Sequence, residues 1–280
     1  VLQRTPLGIS MRAVVDNSLL TRLIGTPPPS IRRRAWAIGC AFAAVSGILL
    51  ARSQELDPTQ LTLLVVEAFG ACAIGRFSSL PWTYVGGLVI GLAASLATDV
   101  FTSPALNEVP SAVPFIVLIA ALLATPLSRL PGGRSTFRGL TARAAPLSRR
   151  SRASRRGALA VVLLVLPQLV GSHLPVWIAA ESEFIIFGSL ALLVWTSGQV
   201  SLCQVSFAAL GATTMAHLSN AGVPWAVALV AAGLLTVPIG ALVSVPAIRL
   251  SGVYLALVTL GFGLVLQLVF YPTFLMFGKS

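Results

Sequence analysis

Residues 225–245 read WAVALVAAGLLTVPIGALVSV, 21 residues without a charged side chain. As a helix rising 1.5 Å per residue, this stretch is about 30 Å long, the thickness of a bilayer's hydrocarbon core. A helix that is apolar all round has no face to offer to water. The rest of the chain repeats the pattern. Of its 280 residues 56% are hydrophobic and 10% charged, and the mean hydropathy is +0.91. An ordinary globular domain is roughly 25% charged. The composition excludes a soluble enzyme and a disordered tail, because such a chain cannot cover a water-facing surface. It predicts an all-α, polytopic transmembrane bundle of about nine segments at ~20 residues each.

The charges set the topology. Of 19 basic residues, six fall between Arg4 and Arg34 and nine between Arg129 and Arg156. Carrying an Arg to the bilayer centre costs about 2.5–3.5 kcal/mol, so such blocks stay on the cytoplasmic side. The net charge of +11 is therefore read as a topology signal, with lipid as the contact and no nucleic-acid partner. With both blocks inside, the expected spans are Ala35–Ala51, Leu61–Ile74, Pro81–Thr98, Val109–Leu127, Ala158–Ile178, Phe184–Thr196, Val205–Leu218, Trp225–Val245 and Tyr254–Tyr271. Glu55, Asp57, Asp99, Glu108, Glu181 and Glu183 then mark outer loops, and Arg76 and Arg249 lie inside. Leu61–Ile74 and Phe184–Thr196 are short for plain spans and are expected to be broken or re-entrant.

Three portions follow: residues 1–127, an Arg-, Gly- and Ser-rich cytoplasmic linker at 128–157, and residues 158–280. Val1 in place of Met, and Ser280 directly after a span, read as cuts from a longer protein. Cys40, Cys72 and Cys203 are scattered in apolar stretches and read as packing residues, while His173 and His217 are solitary interfacial residues. No metal site is expected. Gly278-Lys279-Ser280 lacks the upstream glycine and the strand–loop–helix context of a phosphate-binding loop. Gly87-Leu88-Val89-Ile90-Gly91 has the spacing of a close helix contact.

Two stretches carry function. Residues 4–25, with Arg4-Thr5-Pro6-Leu7-Gly8, Met11-Arg12-Ala13-Val14 and Thr21-Arg22-Leu23-Ile24-Gly25, read as a short cytoplasmic helix between glycines; by composition it would lie on anionic lipid. Gly198-Gln199-Val200-Ser201-Leu202 reads as a helix break. There Gln199 and Ser201 either line a pathway or satisfy freed backbone groups. Glu67 is a carboxylate inside an apolar segment, either functional or a hydrogen-bonded packing residue.

These motifs resemble the permease pair of ATP-binding-cassette importers for branched-chain amino acids. Residues 4–25, then Ala41–Leu50, Glu67-Ala68-Phe69, Gly75, Leu80-Pro81, Gly86-Gly87, Gly91 and Val113–Ile119 follow the H-type subunit. Gly198–Leu202, Phe207, Gly211-Ala212 and Arg249–Gly263 (RLSGVYLALVTLGFG) follow the M-type subunit. The chain thus looks like the C-terminal portion of one permease (1–127) fused to the N-terminal portion of the other (158–280). It departs from the family at Glu67, where Lys is common, at Trp82, Cys203-Gln204 and Thr213, and at Leu264, where Glu is usual.

The resemblance implies a permease of the cell inner membrane, with no catalytic residue and no cofactor of its own. ATP would be bound by cytoplasmic ATPase subunits, and an extracytoplasmic solute-binding protein would deliver an amino acid. Gly8, Arg12, Ala13, Leu23 and Gly25 would form the ATPase-coupling loop. Glu67, Gly198, Gln199, Ser201, Thr259 and Gly261 would line the substrate pathway. Two alternatives stay open: an ion-coupled secondary transporter with Glu67 as its coupling charge, and a truncated, non-transporting fusion fragment.

Overall fold

A computed structural model of the chain describes residues 4–52, 58–101, 103, 106–125, 154, 161, 165, 168, 171–250, 252–273 and 276–278. The linker at 128–157 apart from Ser154, Glu55, Asp57, ten of the 21 residues of the expected span Ala158–Ile178, and Lys279-Ser280 lie outside the described residues. The described elements are helical: α1 (Pro6–Asp16), α2 (Ser18–Leu23), α3 (Pro28–Leu50), α4 (Pro58–Ile74), α5 (Leu80–Val100), α6 (Val109–Ala124), α7 (Leu174–Ser197), α8 (Gln204–Asn220), α9 (Trp225–Arg249) and α10 (Val253–Val265). A π-helical turn, Leu266–Phe270, continues α10. Among the described residues, five helices are long and apolar enough to cross a membrane: α3, α5, α7, α9, and α10 with its π turn. The fold is an all-α, multi-pass membrane bundle.

Proline marks many of the starts. It occupies one of the first two positions of α1, α3, α5, α6 and α7. There its missing N–H costs nothing and its fixed φ suits the helix. α3 therefore begins at Pro28, ahead of the expected Ala35, and Arg32–Arg34 lie within its first turns.

The segment after the linker needs correction. An outer loop at 179–183 followed by a short span Phe184–Thr196 was expected; instead α7 runs unbroken for 24 residues and contains Glu181 and Glu183. Nothing between Ile178 and Phe184 breaks a helix, and Ala and Glu are good helix formers. The breaks fall at Gly171 and Gly198, with φ of +56° and +67°. At Gly198 the chain takes the left-handed conformation that ends many helices, and its N–H bonds the Val194 carbonyl at 2.9 Å.

The chain divides into two compact units, residues 1–62 and 63–280. In the first, α1, α2 and α3 pack on one another. In the second, helices from both sides of the linker share one core. Leu118 and Leu122 of α6 and Ala73 of α4 are buried together with Leu250 and with Leu255, Leu257 and Val258 of α10. On α6 the buried positions 112, 115, 118 and 122 recur at helical spacing. Close approach relies on Gly70 and Gly86 rather than on the expected Gly87–Gly91 pair. A Cβ at Gly86 would stand 2.8 Å from the Ala71 carbonyl oxygen, whereas one at Gly91 would meet nothing within 4 Å.

Candidate functional site

The segment expected to couple to an ATPase, residues 4–25, holds two helices, not the single short one expected. Asn17 separates them because its extended backbone (φ −153°) ends α1 and caps α2. Its Oδ1 accepts from the N–H groups of Leu19 and Leu20 at 3.0 and 3.1 Å, and Thr5 likewise caps α1 by accepting from Gly8 N–H at 3.3 Å. Such caps are each worth about 1 kcal/mol. The buried Thr21 then ties the helices together: its hydroxyl reaches the carbonyls of Asn17 (2.7 Å) and Ala13 (3.0 Å).

This internal bonding frees one face. Leu19, Leu20, Leu23 and Ile24 recur at i, i+4 spacing and are all exposed, Leu23 at 76% and Ile24 at 77%. Of the residues expected in this loop, Leu23 and Arg12 are exposed, Gly8 is buried in the first turn of α1, and Ala13 supplies the carbonyl that Thr21 bonds. Gly25 has φ +78° and follows α2. The roles of Asn17 and Thr21 were missed, although an Asn before a Ser-Leu-Leu run is a legible cap.

The second unit holds a cavity of about 370 Å³. Ser189, Leu192, Leu193 and Thr196 of α7 form one wall, and Gly240, Val243 and Ser244 of α9 another. Gln199, Ser201 and Cys203 come from the break, Gln204 and Phe207 from α8, and Leu255 and Thr259 from α10. Three of the expected pathway residues, Gln199, Ser201 and Thr259, are thus brought together. Gly198 shapes the break without lining the cavity. Gly261 faces the other way: a Cβ there would stand 3.4 Å from Ile119 and 3.5 Å from Leu118 of α6, which makes it a packing residue. Glu67, half-buried on α4, does not line the cavity.

Thr259 holds the break in place. It is 2% exposed, and its Oγ1 accepts from Leu202 N–H at 2.9 Å while lying 3.0 Å from the Leu255 and Ala256 carbonyls. A backbone group freed by a helix break within a membrane must find such a partner inside the protein. Ser201 and Cys203 share a hydrogen bond of 3.1 Å. Phe207 and Phe262 pack at 6.3 Å, and a Cβ at Gly263 would stand 3.0 Å from Ser206 Oγ, so the start of α8 lies close against α10.

Residues 1–122 match the family described as branched-chain amino acid transport system / permease component. The chain is 30% identical over 129 residues to a probable branched-chain amino acid transport permease protein, LivH, of Methanocaldococcus jannaschii, covering 45% of this chain and 41% of the relative. It is 32% identical over 126 residues to the high-affinity branched-chain amino acid transport system permease protein BraD of Pseudomonas aeruginosa, covering 45% and 40%. To the corresponding permease protein LivM of Salmonella typhimurium it is 38% identical over 115 residues, covering 40% of this chain and 27% of LivM. The chain spans about two fifths of the length of the LivH and BraD relatives. No solved structure matches it.

Proposed function

We infer that this chain, whose residues 1–122 match the branched-chain amino acid transport permease family, supplies part of the membrane pathway of an ATP-binding-cassette importer. Residues 1–127 act as an H-type portion and residues 158–280 as an M-type portion. The linker at 128–157 lies on the cytoplasmic side of the inner membrane. Separate ATPase subunits bind the ATP, an extracytoplasmic binding protein delivers the solute, and the solute is a branched-chain or related amino acid. This chain contributes no catalytic group and no cofactor.

The observation that carries this reading is the capped helix pair α1–α2. Its exposed Leu19, Leu20, Leu23 and Ile24 form one apolar face, and the pair comes directly before α3, whose first turns hold Arg32–Arg34. A rigid apolar ridge flanked by cations on the cytoplasmic side suits insertion into a groove on a soluble partner. Movement of that partner on binding ATP would be passed to the helices behind the ridge.

The test is an affinity pull-down of the protein from its own membranes. A nucleotide-binding ATPase is expected to copurify and to be lost in Leu23→Arg, with the melting temperature unchanged because Leu23 lies on the surface. If no ATPase copurifies, or if Leu23→Arg retains it, the docking role is refuted. A lipid-resting helix pair would then explain the apolar face.

A further inference from the structure

Helix α3 carries three consecutive cations in its first turns, Arg32, Arg33 and Arg34, and all three are exposed. None makes a hydrogen bond or ion pair to another described residue. Asp16 is the one acidic side chain among the described residues of 1–62. At about 100° per residue, three consecutive positions cover roughly 200° of the helix circumference while rising only about 3 Å along its axis. The cations therefore form a collar and not a face, and a protein surface docking from one side could not meet all three.

The collar also has a definite depth. Residues 35–51 follow it without a charge and measure about 25 Å as a helix, close to the hydrocarbon thickness of a bilayer. Arg52, exposed, closes the stretch at its other end. None of the apolar window of α3 is buried inside the protein. Trp36, two residues past the collar, is 75% exposed, and an amphipathic indole is at home at the headgroup boundary.

We propose that the Arg32–Arg34 collar with Trp36 is a binding site for anionic phospholipid headgroups, in the leaflet on the side of α1 and α2. It requires only that α3 crosses the membrane. A guanidinium bonds a phosphate through two N–H groups at once. The choline of a zwitterionic headgroup balances its own phosphate, whereas phosphatidylglycerol brings each arginine an uncompensated negative charge. Such a contact enriches the anionic lipid about fivefold, the equivalent of ~1 kcal/mol per arginine near the surface. Bound headgroups hold α3 at a set depth, and α1 and α2, which pack on α3, at a set height. The docking ridge is thereby tied to the lipid composition of its leaflet.

Cys40 reports on the site. It is exposed on α3, four residues beyond Trp36 and so on the same side of the helix, about 10 Å deeper than the collar. The full chain with Cys72→Ala and Cys203→Ala is labelled at Cys40 with bimane and placed in phosphatidylcholine nanodiscs. A small fraction of the lipid carries a quenching nitroxide on its acyl chain near the headgroup, and that headgroup is either phosphatidylglycerol or phosphatidylcholine. Quenching by the phosphatidylglycerol form is expected to exceed that by the other about fivefold. Arg32→Gln with Arg33→Gln and Arg34→Gln should bring the two to equality. Arg→Lys at the same three positions keeps the charge and should retain most of the excess. Arg149→Gln with Arg150→Gln and Arg152→Gln removes as much charge outside the collar and should leave the excess unchanged.

Equal quenching by both lipids in the native chain overturns the proposal and leaves the collar to an acidic protein surface. Survival of the excess when Arg32–Arg34 are replaced by Gln overturns it as well, and so does its loss on the Lys replacements. Loss on the three linker substitutions has the same force, because the attraction would then follow net charge alone. No ATPase and no solute takes part in the readout, so its outcome is separate from that of the pull-down.

Discussion

Replacing Thr259 by Val removes one hydroxyl and nearly nothing else, at the point where the helix break is tied to α10. In the native protein Leu202 N–H donates to Thr259 Oγ1 at 2.9 Å. The variant leaves that N–H without its partner. An orphaned buried donor costs about 1–3 kcal/mol. Leu202 is 45% exposed, so its backbone retains some access to other partners and the loss falls in the lower part of that range, about 1–2 kcal/mol. The carbonyls of Leu255 and Ala256 add little, since a carbonyl inside a helix keeps its backbone bond when the extra hydroxyl goes. The penalty is local, so it appears as easier opening of the 198–203 break. A shift of 1–2 kcal/mol is a roughly 5- to 30-fold change in an opening equilibrium. Amide hydrogen exchange of the 198–204 segment in nanodiscs should accelerate by that factor, with exchange in α6 and α9 unchanged. Thr259→Ser keeps the oxygen and should retain most of the protection. The reasoning fails if the Val variant exchanges like the native chain, or if Ser and Val accelerate the segment equally.

Two further predictions concern packing. Gly86→Ala would place a Cβ 2.8 Å from the Ala71 carbonyl and 2.9 Å from Ile74 Cβ, so it should destabilise the bundle by about 1–3 kcal/mol, as overpacking does. Gly91→Ala meets nothing within 4 Å and should be neutral or stabilising by up to about 1 kcal/mol; melting both variants in detergent checks the ordering, and equal melting temperatures would refute it. A protease site engineered into residues 128–157 should be cleavable without separating the two portions, because Leu118 and Leu122 are buried in one core with Leu255 and Val258. The cut pieces are expected to coelute on size exclusion, and their separation would show that this core does not hold them together.

Much of the fold is legible one residue at a time. A chain only 10% charged belongs in a bilayer, and Pro and Gly announce helix starts and stops because their backbones favour those positions. The misreading after the linker came from treating Glu181 and Glu183 as loop markers. Charge informs topology, but helix formation depends on backbone breakers, and those stand at Gly171 and Gly198. The helical character of residues 4–25 was legible in the sequence, and Leu23 there is exposed. The division of this segment into two helices turned on one capping side chain, Asn17.

The sequence by itself therefore determined the class of the protein, the helix break at 198–202 and the polar residues at 198–204 that a membrane helix would not otherwise carry. Only the tertiary structure decided which of those residues meet. It gathered Gln199, Ser201 and Thr259 around one cavity with Gln204 and Ser244, turned Gly261 onto α6, and left Glu67 elsewhere. The physical reason is that lipid and helix neighbours are equally apolar, so a membrane helix carries no hydrophobic stripe to say which face looks inward. Contacts such as Leu202 N–H to Thr259, 57 residues apart, arise from that packing.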